Sequence, residues 1–280
     1  MTQGPQKKSL LRLPHLAMLA VSALIASSAF HSASATDEDI WPALEKDIFG
    51  TRTVVEDTSA VTLEAPYRAD DAALVPLTVR IPAHMADHVN KLTLVIDQNP
   101  APVVGDFTFG PAAGSGERVI ETRVRVDMYS NVRAIVETDD GRLLMATKFV
   151  KAAGGCSAPA LKDTDAALAD AGRMQIRHLA GEATAAAAGQ RMGQVMIRHP
   201  QYSGLQLNQV TGYYIPAKFL RSIDVTRGGE RVFRVEGGIS LSEDPNIRFT
   251  YASGTDDTIE VTAEDTDGRT FTGRAEPKGS

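Results

Sequence analysis

A period of two runs through most of this sequence and limits the possible folds more than any other feature. Val61-Thr-Leu-Glu-Ala65, Leu77-Thr-Val-Arg-Ile81 and Leu92-Thr-Leu-Val-Ile96 alternate or run as β-branched segments, and Val119–Val126, Val132–Glu137 and Arg142–Val150 continue the pattern. Successive side chains of a strand point to opposite faces, so these segments bury one face and wet the other. Pro66, Pro76, Pro82, Asn99-Pro100, Gly110-Pro111, Gly114–Gly116 and Asp140-Gly141 punctuate them as turns do. The same signals recur at Met174–Arg177, Gln194–Arg198, Phe219–Thr226, Arg231–Val235, Ile247–Tyr251, Thr258–Ala263 and Arg269–Thr272. Arg227-Gly228-Gly229-Glu230 and Asp267-Gly268 read as hairpin turns. The pattern predicts an all-β chain of two antiparallel sandwiches, each of roughly 110 residues, a normal domain size.

Helical signals are few. Asp39 is placed to cap a short helix over Pro42–Phe49 that Gly50 ends. Pro82 to Asn90 reads as a loop or one helical turn, Asp163–Gly172 as a linker or weak helix, and Ala180–Gly189 as a loop or short helix.

The N-terminus reads as an export signal. Lys7, Lys8 and Arg12 precede the apolar run Leu16–Ala26, and His31-Ser-Ala-Ser-Ala35 supplies small residues for cleavage after Ala35. The apolar run is short for a span of about 20 residues, so a removed signal fits better than an anchor. The expected mature chain is soluble and exported, with no membrane segment. It is also acidic: the full chain carries −6, and removing the three basic residues leaves −9. With no basic block, nucleic acid is a poor partner, because that affinity comes largely from Lys and Arg against phosphates.

The single cysteine carries the functional argument. Exported cysteines ordinarily come in pairs, and Cys156 has none. It sits in Lys151-Ala-Ala-Gly-Gly-Cys-Ser-Ala-Pro159, a small-residue stretch without large apolar anchors. Gly154 and Gly155 free the backbone, so the expectation is a flexible arm of Gly154, Gly155 and Ser157 that holds the thiol in solvent. Lys148 and Lys151 would favour the thiolate if they fold towards it. A nucleophilic enzyme needs a base and an oxyanion site placed to within about an ångström. A glycine strap suits a covalent carrier instead, and no enzyme is predicted.

At this point the residues resemble a known family. Val61–Pro159 resembles the SoxY subunit of periplasmic sulfur oxidation through Val61-Thr-Leu-Glu-Ala-Pro66, Leu74-Val-Pro-Leu-Thr-Val79, Asn99-Pro100, Phe107-Thr-Phe-Gly-Pro111, Asn131–Glu137 and Gly154-Gly-Cys156. Residues 173–274 resemble its partner SoxZ through Ile197-Arg-His-Pro200, Ser203-Gly204, Ile215-Pro-Ala-Lys-Phe219, Gly237–Pro245 and Asp257-Thr258-Ile259. The whole is similar to the fused SoxYZ-like carriers associated with quinoprotein dehydrogenases. The resemblance implies two immunoglobulin-like sandwiches packed on each other, at 36–153 and 173–280, with the arm and linker at 154–172. It also implies that Cys156 carries sulfur intermediates of thiosulfate oxidation, and no cofactor. The implied partners are periplasmic sulfur-oxidation enzymes or a quinoprotein dehydrogenase and its cytochrome. In the alternative, the chain is an accessory module of that dehydrogenase and the thiol carries no sulfur. Unlike the family's free C-terminal Gly-Gly-Cys-Gly-Gly arm, this one continues into the chain, with Ser157-Ala158 in place of the second glycine pair.

Other constellations point to structure. His84 and His88, four apart, lack a third ligand. Met192, Met196 and His199, with Met174 and His178, suggest copper, but residues four apart on a strand share a face, so the methionines read as core neighbours. Asp70-Asp71, Asp139-Asp140 and Asp256-Asp257 read as turn caps. No metal site is predicted.

Overall fold

The computed structural model describes residues 39–159, 164–179 and 189–277, and their strands form two sheets. The chain runs α1 Trp41–Phe49, β1 Val54–Glu56, β2 Thr62–Glu64, β3 Val75–Ile81, α2 Ala83–Ala86, β4 Val89–Ile96, β5 Val103–Phe109, β6 Arg118–Val124, β7 Ser130–Thr138 and β8 Leu143–Val150. It continues with α3 Thr164–Ala169, β9 Met174–Leu179, β10 Gln190–Ile197, β11 Leu220–Arg227, β12 Glu230–Gly237, β13 Asn246–Ala252, β14 Ile259–Asp265 and β15 Thr270–Ala275. The expected signal at 1–35 and most of Ala180–Gly189 lie outside the described residues. No described helix is long and apolar enough to cross a membrane.

The architecture is the all-β sandwich arrangement that the alternation predicts, and strands of the two halves join in both sheets. One sheet has the order β1-β8-β7-β4-β5-β12-β11-β14-β15, and the other β2-β3-β6-β13-β10-β9. The halves therefore meet edge to edge in both layers: β5 pairs with β12, Phe107 opposite Val235, and β6 pairs with β13, Ile120 opposite Phe249. A single hydrophobic core runs from Val61, Leu77 and Leu92 through Phe107 to Phe233, Phe249 and Val261. Three aromatic rings carry it across the junction, with centroids 5.8 Å apart for Phe107 and Phe233 and 5.1 Å for Phe233 and Phe249. Pairing both edges removes strand ends that would otherwise invite association with other chains.

The sequence pattern missed β5, whose Val-Val-Gly-Asp-Phe-Thr-Phe breaks alternation at Gly105. A Cβ there would lie 3.1 Å from the Glu236 carbonyl oxygen, so glycine lets β12 come close. The short β1, which pairs in parallel with β8, was also missed.

The expected helix forms but begins at Trp41, with Ile40 rather than Asp39 at its cap position; the Trp41 N–H donates to Asp39 Oδ1 at 3.2 Å, and Gly50, at φ 69°, closes it with a bond to Lys46 O. Trp41 and Phe49 cover Val95, Ile135, Leu143 and Met145 on the outer face of the larger sheet. Beneath them, the Arg133 guanidinium lies 4.1 Å from the Trp41 ring and pairs with Asp97 at 2.7 Å, so a buried charge is matched by an anion and an aromatic face.

Candidate functional site

The strap that carries Cys156 leaves β8 at Val150 and turns back over the end of the first half. Its backbone is bonded residue by residue. Lys151 N donates to Tyr67 O at 2.8 Å, Gly154 N to Asp127 O at 2.7 Å and Gly155 N to Val126 O at 3.0 Å. Cys156 N donates to the Asp127 carboxylate at 3.1 Å. The loop after β6 that receives these bonds is itself fixed by Asn99, which donates to Arg125 O at 2.8 Å and accepts from Asp127 N at 2.8 Å.

Glycine is required here for two reasons. Gly154 sits at φ 80°, and a Cβ on Gly155 would fall 2.1 Å from the Ala72 carbonyl oxygen. The double glycine thus lets the strap lie flat against the sheet end.

The second half holds the strap from the other side. The Ser203 hydroxyl donates to Cys156 O, and Gln206 Nε2 donates to Ala158 O at 2.9 Å. Arg125 bridges the halves, with Nη1 donating to Gly155 O and Nη2 to Gln201 O, each at 3.2 Å. Gln201 is one of two non-glycine residues at positive φ (48°) among the described residues, and its side-chain oxygen accepts Leu220 N at 2.7 Å. Upstream, His199 Nδ1 accepts the Gln201 N–H at 3.2 Å.

This geometry corrects the expectation of an exposed thiol on a free arm. Cys156 is 0% exposed and Gly155 is buried, while Ala153, Ser157 and Pro159 face solvent. The small flanking residues, which suggested mobility, instead permit close approach of two pre-formed surfaces. Burial, followed by the nearby Asp127 carboxylate, pushes the thiol up to about 12 against the opposing pull of Arg125. At neutral pH the docked sulfur is protonated and shielded, and it is no nucleophile in this position. Lys148 and Lys151, expected to favour the thiolate, are not among the groups that shift it; the Lys151 ammonium sits 4.9 Å from the Tyr67 ring.

Exposed apolar side chains flank the strap. Met128 and Tyr129 follow Asp127, and Leu205, Leu207, Val210, Tyr213 and Tyr214 stand on the loop that begins at Ser203. Between Tyr202 and Ala217 that loop has no charged residue.

The remaining candidates are dispersed. His88 Nδ1 lies 3.1 Å from Asp139 Oδ2, and among the described residues no three His, Cys, Asp or Glu side chains converge as a metal would require. Met192 and Met196 do share a face of β10, but they are half-buried on the side away from Val195 and Ile197, so they are not core neighbours. His178 bonds the Tyr251 hydroxyl at 2.8 Å, and Met174 packs against the core. Asp71, Asp140 and Asp256 cap turns through the backbone amides of Ala73, Arg142 and Thr258.

Two protein families match successive parts of the chain. Residues 45–156 match the family of sulfur oxidation protein SoxY, and residues 181–276 match sulphur oxidation protein SoxZ. The first match ends on Cys156 itself. Among solved structures, the sulfur carrier protein SoxY from Chlorobium limicola f thiosulfatophilum is 25% identical over 39% of this chain and 89% of its own, with a TM-score of 0.31. A superoxide reductase (neelaredoxin) from Ignicoccus hospitalis is 16% identical over 35% of this chain and 93% of its own, with a TM-score of 0.28. No curated protein matches the chain.

Proposed function

We propose that this chain, a SoxY domain continued into a SoxZ domain, is a covalent carrier that bears sulfur intermediates on Cys156 and presents them to separate enzymes of sulfur oxidation. The observation that carries the reading is the strap. The one cysteine closes the SoxY match, stands after two glycines, and is held by reversible hydrogen bonds to its backbone. Among the described residues none is hydrogen-bonded to its sulfur: Asp127 binds its amide, and the His199 Nδ1 lone pair is spent on Gln201.

The docked strap is then the resting position of the carrier. A protonated, covered sulfur resists oxidation and stray exchange in an oxidising compartment. Delivery requires release of Ser203 and Gln206, after which Gly154 and Gly155 supply the hinge. The six residues from Lys151 to Cys156 extend to at most about 20 Å, and this shorter side sets the reach of an arm tethered at both ends. The compartment of the proposal is the periplasm, reached through the signal at 1–35. The partners are sulfur-oxidising enzymes or a quinoprotein dehydrogenase with its cytochrome.

A second reading draws on the burial of Cys156. In it, the chain is an accessory module of such a dehydrogenase and the thiol fills space. A producing strain with Cys156→Ser separates the two. Loss of growth on reduced sulfur with normal amounts of folded protein supports the carrier, and unimpaired growth supports the module.

A further inference from the structure

We infer that Arg125 and Gln201 form a subsite for a terminal sulfonate on the group attached to Cys156, so that the closed strap retains anionic sulfur cargo in preference to neutral cargo. This rests on the carrier reading and names the chemistry of its load.

Arg125 is 2% exposed, yet among the described residues no carboxylate lies within 4.0 Å of its guanidinium. Arg133, a buried arginine on β7 of the larger sheet, is bidentate to Asp97. Arg125 instead spends both terminal nitrogens on neutral carbonyls, those of Gly155 and Gln201, and its Nε has no partner. Beside it, Gln201 is wholly buried and its Nε2 is also unpartnered. Two donors without acceptors, one of them cationic, are costly inside a protein unless an anion meets them.

Arg125 Nη1 is bonded to the carbonyl of Gly155, the residue just before Cys156, so the guanidinium lies beside the buried cysteine. Of the ionisable groups that raise Arg125, Cys156 acts most, ahead of Glu243 and Asp71. Asp127 binds the Cys156 amide and works against a charge on the sulfur itself. A bare thiolate is therefore disfavoured. An S-sulfonate or S-thiosulfonate moves the charge beyond the sulfur and spreads it over three oxygens. Guanidinium nitrogens pair with such oxyanions through charge-assisted hydrogen bonds.

Loading with tetrathionate tests this on the full chain. The Cys156 thiolate attacks a central sulfur of tetrathionate, the new bond is Sγ–S, the central S–S bond breaks, and thiosulfate leaves with the electron pair. The thiol proton goes to solvent, and the product is Cys–S–S–SO₃⁻. A neutral S–S–CH₃ adduct, made with methyl methanethiosulfonate, is the control. Each adduct is released with dithiothreitol, and its rate in the native chain is divided by its rate in denaturant. The thiosulfonate is expected to be protected at least tenfold more than the methyl adduct, and Arg125→Gln is expected to erase the difference. Arg125→Lys, which keeps a charge but not the fork, should retain part of it. Equal protection of the two adducts in the unmutated chain overturns the inference without any variant. So does a difference that survives in folded Arg125→Gln. Neither result touches the growth defect of Cys156→Ser, which judges the carrier reading separately.

Discussion

Removing the two side chains that clamp the strap from the second half, with Ser203→Ala and Gln206→Ala together, should expose Cys156 without unfolding the sandwich. Ser203 donates to Cys156 O, and Gln206 donates to Ala158 O at 2.9 Å. Each such bond contributes about 0.5–1.5 kcal/mol net, so the pair holds the strap closed by about 1–3 kcal/mol. Since 1.4 kcal/mol is tenfold in an equilibrium, the open fraction should rise by about 5- to 150-fold. Gln206 Oε1 also accepts Ser203 N, so truncation leaves that buried amide unpaired and pushes towards the upper end. The assay is the pseudo-first-order rate of iodoacetamide addition to Cys156 at pH 8, followed by intact mass. When opening is fast, that rate follows the open population. Val210→Ser, at a site 93% exposed, serves as control. The reasoning is refuted if the double variant reacts within twofold of the unmutated chain while both remain folded. It fails equally if the unmutated chain already reacts as fast as a free model thiol.

Three further outcomes follow from the same contacts. Gly155→Ala places a Cβ against the Ala72 carbonyl oxygen, so the strap should fail to seat and Cys156 should alkylate at nearly the free-thiol rate, with a melting temperature changed far less than by a core truncation. Because the docked thiol is raised to about 12 while an open one titrates near the reference 9.0, the closed form holds its extra proton and is fully favoured below pH 9. Its advantage declines as pH climbs from 9 towards 12, and hydrogen exchange of the Cys156 amide should accelerate beyond the usual base catalysis over that window. His199 runs the other way: burial lowers it to about 4, so the native state gains fully above the reference 6.5 and loses stability as pH falls from 6.5 to 4. Urea midpoints measured across that range should drop, and His199→Gln should flatten the slope.

Much of the fold was legible because alternation reports directly which residues face a core. β3 shows it plainly, with Val75, Leu77, Val79 and Ile81 buried in turn. Gly228 and Gly229, at φ 57° and 82°, make the hairpin turn that their dipeptide announces. The joining of the halves was not legible, since edge pairing depends on backbone hydrogen bonds that any strand can make, and β5 lacked a pattern to mark it. The site was legible at Cys156 and the paired glycines, because rare residues in a bland setting stand out. Its surroundings were not. Arg125 is a single charge between two valines, Asp127 looks like a turn residue, and Ser203 and Gln206 lie 47 and 50 positions along the chain from Cys156. Small residues signal either mobility or close packing, and only the surface they meet decides which. Ala72 and Val126 on one side, with Ser203 on the other, decide for packing.

The claim that matters most is that Cys156 holds sulfur in the living cell, and the intact mass of the chain isolated from its producing organism addresses it directly. During growth on a reduced sulfur compound, a fraction of the chain should be heavier by one or more sulfur atoms or by a thiosulfonate, reverting with dithiothreitol and absent in Cys156→Ser. A thiol that stays unmodified under those conditions, in protein trapped by acid at harvest, would contradict the account.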